Sequence, residues 1–99
     1  MISHNRPTIG IEEESAAIRV LRRGWLSQGK EVQEFENEFC DFMGLPHGHA
    51  VALSSGTSSL FLALYILKAQ NKKILFPSYV CSALRHAVAM VNAKEELID

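Results

Sequence analysis

Ninety-nine residues with a formal net charge of −1 and 47% hydrophobic side chains fit an ordinary globular α/β chain and argue against nucleic acid or a polybasic membrane surface as partner. No apolar run approaches the roughly 20 residues that cross a bilayer, and the start Met1-Ile2-Ser3-His4 lacks a charged-then-apolar leader pattern, so the cytoplasm is the default compartment. A chain this short holds one domain with a modest core, burying under about 70% of its unfolded surface.

Residues 1–10 carry Pro7 and Gly10 with little periodicity and read as an extended arm. Residues 11–23 read as a helix with Glu12, Glu13 and Glu14 at its positive end and Arg19, Arg22 and Arg23 towards its negative end, a charge order that stabilises it. Ile11, Ala17, Ile18 and Leu21 supply its apolar side and Gly24 stops it. Residues 24–29 form a glycine-bounded loop with the only tryptophan, Trp25, which is either a buried anchor or a surface offered to a ligand. Val32, Phe35, Phe39 and Phe42 recur at steps of three, four and three, so residues 30–43 read as an amphipathic helix with Cys40 as a small core residue beside the stripe. Cys40 and Cys81 make no C-x-x-C pair and no disulfide framework, which agrees with a reducing compartment. His47 and His49, taken with His86 and Cys40, lack the paired ligand sets of a metal site, and no metal is assigned.

Ala50-Val51-Ala52-Leu53 reads as a strand and residues 60–69 as a helix, apolar on nearly every side and therefore expected beneath other elements. Between them lies Ser54-Ser55-Gly56-Thr57-Ser58-Ser59. A turn of that kind at a helix start aims free N–H groups and the positive helix end at one point, which suits an anion. Gly56 permits close approach and the hydroxyls of Ser55, Thr57 and Ser58 can add hydrogen bonds. A serine that merely caps the helix is the plainer alternative. Ile74-Leu75-Phe76 reads as a second strand before Pro77-Ser78-Tyr79, residues 80–91 as a helix, and Lys94-Glu95-Glu96-Leu97-Ile98 as a third strand. The nucleotide fingerprints G-x-G-x-x-G and G-x-x-x-x-G-K-[ST] are both missing.

The order of Arg6-Pro7 with Gly10, Trp25-Leu26-Ser27 with Gly29, Val32, Phe35, Glu36 and Phe39, then Ser55-Gly56-Thr57-Ser58-Ser59-Leu60 and Pro77-Ser78-Tyr79, resembles the start of the DegT-type family of sugar aminotransferases that use pyridoxal 5'-phosphate. The resemblance implies an α/β fold: the N-terminal part of the large domain of fold type I pyridoxal-phosphate transferases, with an extended arm, two helices, and then strand-helix-strand-helix-strand. Residues 1–99 would be a single, incomplete piece of that domain. In such a domain the first strand lies apart from the second, so residues 74–76 should pair in parallel with the strand around residues 96–98, while residues 50–53 should lack that partner.

Pyridoxal-phosphate chemistry needs a phosphate anchor, groups that cover the ring, a carboxylate on the pyridine nitrogen and a lysine that holds the cofactor covalently. By resemblance, Thr57 binds the phosphate through its hydroxyl and Ser58 through its N–H, with Gly56 allowing the approach. Where relatives place an aromatic against the ring this chain has Cys81, so Cys81 covers the ring, or Tyr79 does so after a local shift. Trp25 and Ser27 would lie near the substrate at the active-site mouth, close to a dimer partner. Lys30, Lys68, Lys72, Lys73 and Lys94 match no catalytic position, so the chain alone should not catalyse transamination. The complete enzyme would be a cytoplasmic homodimer that moves an amino group onto the keto group of a nucleotide-linked sugar, as in polysaccharide biosynthesis. An inactive truncated remnant and a sugar dehydratase of the same family are the alternatives.

Overall fold

Glycine ends both early helices. α1 (Ile11–Arg23) and α2 (Lys30–Met43) run into Gly24 and Gly44, at φ 71° and 66°, left-handed values that a Cβ would strain. There the Gly24 N–H returns to Leu21 O at 3.1 Å, and Gly44 and Leu45 donate to Asp41 O and Cys40 O at 3.1 and 2.8 Å, so carbonyls at the helix ends find partners. At the start of α1 the Glu13 carboxylate accepts the Gly10 N–H at 2.7 Å, and this bond holds its pKa below the ordinary glutamate value. Both helices have the expected bounds. The structure, a computed structural model, describes residues 5–98; residues 5–10 of the expected arm take no regular structure, and its first four residues lie outside the described ones.

The chain divides into two compact units, residues 1–51 and residues 52–99. In the first, Cys40 is fully buried, as its place beside the stripe suggested. The stripe itself is not covered: Phe35, Phe39 and Phe42 are exposed, Phe42 at 86%. The expected apolar side of α1 differs too, because Ile11, Ile18 and Leu21 are exposed while Ala16 and Val20 are half-buried. Periodicity locates an apolar face, but a face is buried only where another element lies over it. Across the intervening loop Arg23 and Arg19 of α1 both pair with Glu31 of α2, the latter at 3.5 Å.

The second unit contains α3 (Gly56–Ile66), β1 (Lys73–Pro77), α4 (Ala83–Met90) and β2 (Lys94–Ile98). β1 and β2 are parallel, with Lys73 opposite Lys94, Phe76 opposite Leu97 and Pro77 opposite Ile98, which is the expected pairing across the intervening helix. Residues 50–53 form no strand. The expectation of a strand there is corrected, and the physical reason is that a strand exists through its ladder, whereas the ladder among the described residues joins β1 and β2 alone. The helix expected over residues 60–69 also moves: α3 starts four residues earlier than residue 60 because Ser55 caps it, and Lys68, at φ 54°, turns the chain soon after its end. α4 is shorter than the expected 80–91.

Ala69, Phe76, Ala87, Val88 and Val91 form the buried core of this unit. α3 packs along α4 yet has no buried residue, and Leu60, Leu62, Tyr65 and Ile66 are exposed, which corrects the expectation of a helix beneath other elements. The turns after α3 and α4 are tied together: Asn71 N–H donates to Asn92 O at 3.0 Å and Lys94 N–H to Lys72 O at 2.8 Å. Because β1 begins at this tie, the strand's far end, where α4 begins, is the carboxyl end of the sheet. α3 packs on α4 with Phe61, Tyr65 and Ile66 near Met90 and Val91, so its C-terminus is at the tie and its N-terminus, about 16 Å away along the helix, is on the side of the carboxyl end.

Arg85 on α4 clasps Glu95 on β2 with two hydrogen bonds, Nε to Oε2 at 2.9 Å and Nη2 to Oε1 at 2.6 Å. The hydrogen bond to Arg85 holds the Glu95 carboxyl below its ordinary value. A lowered folded-state value stabilises above the unfolded one and loses that contribution as pH falls through it. The unfolding midpoint should therefore fall on the acid side of about pH 4, and Glu95→Gln should flatten that limb in an acid titration. Phe76→Ala should cost about 3 kcal/mol through the cavity it leaves, read as the shift in a urea unfolding curve against the unaltered chain.

Candidate functional site

Ser55 sits before α3 in extended backbone and its Oγ accepts the Ser58 N–H at 3.1 Å. The Ser58 hydroxyl also lies 3.0 Å from Ser55 Oγ and 3.3 Å from Ser54 Oγ, and Ser59 returns both N–H and Oγ to Ser55 O at 3.1 Å. The serine cap and the open helix end thus coexist. Ser58 N–H, expected to face a phosphate, is donated to the cap here, which leaves Gly56 N–H and Thr57 N–H as the groups at the helix end without an intrahelical acceptor. Gly56 is exposed, Thr57 half-buried, and a Cβ built on Gly56 would meet nothing within 4 Å. The side-chain position of Gly56 is therefore free of protein atoms; two N–H groups and the Thr57 hydroxyl are suitable donors for phosphate oxygens, and the positive helix end favours their charge.

Cys81 lies in the loop of residues 78–82, which leaves the carboxyl end of β1, the end towards which the α3 N-terminus points. Its thiol is free and exposed, and its carbonyl accepts the Leu84 N–H at 3.2 Å. Tyr79, in the same loop, is 98% exposed. Both are available to a ligand at that end of the sheet. The loop's start is fixed by Ser78 N–H, which continues the ladder to Ile98 O at 3.0 Å.

In the first unit Trp25 and Ser27 line one cleft of about 620 Å³, together with Arg23, Leu26, Lys30 and Glu31. Trp25 is 65% exposed, so its indole is a surface and not a buried anchor. The Nε1–H donates to Gln28 O at 3.2 Å, and a Cβ on Gly29 would lie 2.5 Å from Nε1, so the ring rests against the bare Gly29 backbone. Sequence reasoning singled out Trp25 and Ser27 but passed over Arg23 and Glu31. Their signal was weak: opposite charges eight residues apart, one on each side of a glycine-bounded loop. His47 and His49 are engaged locally, with Asp41 Oδ1 at 2.9 Å and Pro46 O at 3.0 Å.

Residues 7–99 match the DegT/DnrJ/EryC1/StrS aminotransferase family. The chain belongs to this family. Among DegT-type relatives, it is 34% identical over 99 residues to the UDP-4-amino-4,6-dideoxy-N-acetyl-beta-L-altrosamine transaminase of Campylobacter jejuni, a match that takes in 100% of this chain and 26% of that protein. It is 48% identical over 63 residues to the spore coat polysaccharide biosynthesis protein SpsC of Bacillus subtilis, across 64% of this chain and 16% of that one. The crystal structure of the aminotransferase TlmJ from Streptoalloteichus hindustanus superposes with a TM-score of 0.88 at 29% identity, covering 100% of this chain and 27% of TlmJ. The chain thus spans about a quarter of the C. jejuni relative. For this DegT-type chain, Ser55→Ala should cost about 1 kcal/mol of stability while Ser55→Gly costs only a few tenths, both measured by chemical denaturation.

Proposed function

We propose that this chain forms the cofactor-phosphate anchor and part of the substrate cleft of a pyridoxal-phosphate-dependent aminotransferase acting on a keto group of a nucleotide-linked sugar in polysaccharide biosynthesis. The observation that carries the reading is the open N-terminus of α3, where Gly56 and Thr57 hold N–H groups at an exposed, glycine-lined helix end, within a chain of the DegT/DnrJ/EryC1/StrS aminotransferase family. The names of the relatives support the substrate class: one is a transaminase of a UDP-linked amino sugar and one a polysaccharide biosynthesis protein. They favour amino transfer over the dehydratase alternative.

In this reading Thr57 donates its hydroxyl to a phosphate oxygen, the N–H groups of Gly56 and Thr57 add theirs, and the helix end favours the negative charge. Ser58 contributes its N–H when the Ser55 hydroxyl yields it. Cys81 covers the ring as a soft, polarizable group. Trp25 and Ser27 meet the sugar substrate, the indole as a flat apolar surface and the hydroxyl as a hydrogen-bonding partner. Pyridoxal phosphate, when bound, supplies the electron sink that amino transfer needs. The complete enzyme, a cytoplasmic homodimer on this reading, brings the cofactor-holding lysine, the pyridine carboxylate and the amino-donor site.

Equilibrium dialysis of residues 1–99 against pyridoxal phosphate and against pyridoxal tests the anchor. The phosphate-bearing form should bind weakly but measurably better, and Thr57→Ala should lower its affinity about five-fold, as one lost hydrogen bond of about 1 kcal/mol requires. Equal binding of the two forms, or no change in Thr57→Ala, would sink the reading.

A further inference from the structure

We propose that Glu31 is a positioning residue, whose carboxylate, gripped by Arg19 and Arg23, ties the ends of the loop of residues 24–29 and thereby seats Trp25 and Ser27 in their cleft. Arg23 is the last residue of α1 and Glu31 the second of α2, so their ion pair closes the loop at its base. Each carboxylate oxygen has its own guanidinium: Oε1 pairs with Arg23, and Oε2 lies 3.5 Å from Arg19. The Glu31 side chain is 31% exposed, which shields it partly from screening.

Inside the tie, the indole is held by two contacts of the same short loop. Nε1–H reaches Gln28 O, and the ring lies where any side chain at residue 29 would stand, 2.5 Å from Nε1 and 2.9 Å from Cδ1. Through Gly29, the N-cap residue of α2, whose carbonyl accepts the Gln33 N–H at 3.0 Å, the indole is anchored to α2; neither contact reaches α1, so the loop's seat relative to α1 depends on what closes its ends. Releasing Glu31 lets the ends separate, the loop gains conformational freedom, and the indole leaves its place beside Arg23, Ser27 and Lys30. A different role for Glu31 is compatible with its place in the first turn of α2, where a carboxylate complements the helix dipole. That role would alter helix stability and leave Trp25 where it is. The consequence for substrate rests on the proposed function; the seating itself does not.

Trp25 is the sole tryptophan, so intrinsic fluorescence reports this loop alone. In residues 1–99, Glu31→Gln should raise the acrylamide quenching constant of Trp25 towards that of a fully exposed indole, a rise of at most about 1.5-fold from its 65% exposure, with far-UV circular dichroism unchanged. Arg23→Gln should raise it less, because Arg19 keeps its hold on Oε2, and the double variant should not exceed Glu31→Gln, which already removes both pairs. Gly29→Ala marks the signal of a displaced ring. Quenching at the unaltered level in Glu31→Gln, or additive effects in the double variant, overturns the proposal. If Glu31→Gln loses helix, the unaltered chain in about 1 M sodium chloride replaces it, because salt at that level screens exposed pairs; a rise in quenching then supports the proposal and no rise overturns it. Titration with uridine diphosphate separates the two readings. Seating that depends on Glu31 without any response to the nucleotide supports this proposal and counts against Trp25 as a substrate contact. A nucleotide response with seating indifferent to Glu31 overturns this proposal alone.

Discussion

The parallel ladder between β1 and β2 is the constraint on which the second unit depends. Parallel strands cannot be joined by a tight turn, so the chain must travel back along the sheet before it can pair. α4 makes that return, and its Ala87, Val88 and the following Val91 are buried together with Phe76 of β1. The Arg85–Glu95 clasp then fixes α4 to β2 from outside the core. Once α4 has its place, α3 has a surface to lie along, and its N-terminus is brought towards the carboxyl end of the sheet. The candidate phosphate anchor is therefore a by-product of how two parallel strands must be connected.

Much of this arrangement was legible in the sequence. The bounds of α1 and α2 follow from a 3.6-residue apolar period stopped by Gly24 and Gly44, signals contained within each segment. The β1–β2 pairing was also anticipated, though from the likeness to a family and not from the strands themselves, since Lys94-Glu95-Glu96-Leu97-Ile98 alone is a weak strand signal. What could not be read was burial. Phe42 carries as strong an apolar signal as Phe76, yet one is 86% and the other 4% exposed, because periodicity says which face is apolar and nothing about what covers it. Residues 50–53 failed for a related reason: their apolar composition suits a strand, but a ladder needs a second participant.

The candidate site was legible by residue type and less so by hydrogen bonding. Thr57 and Gly56 stand at an open helix end as the Ser-Gly-Thr-Ser pattern suggested, but the cap and the cradle, which look like alternatives in a sequence, draw on different groups of the same turn. Ser55 takes the N–H of the third helical residue and leaves the first two. In the other unit, the glycine at 29 is explained by the indole at 25, a relation between residues four apart that no periodic pattern encodes.

The bond from Asn71 to Asn92, with that from Lys94 to Lys72, fastens the amino-end turns of the second unit to each other. At the other end Ser78 N–H carries the ladder on to Ile98 O, so the closure at both ends rests on backbone hydrogen bonds. Side chains of residues 79–82 can be exchanged without touching that closure, because Ser78 joins the ladder through its backbone N–H. A scaffold closed by main-chain bonds leaves the side chains of its loops free to vary, because their exchange is uncoupled from what holds the strands together.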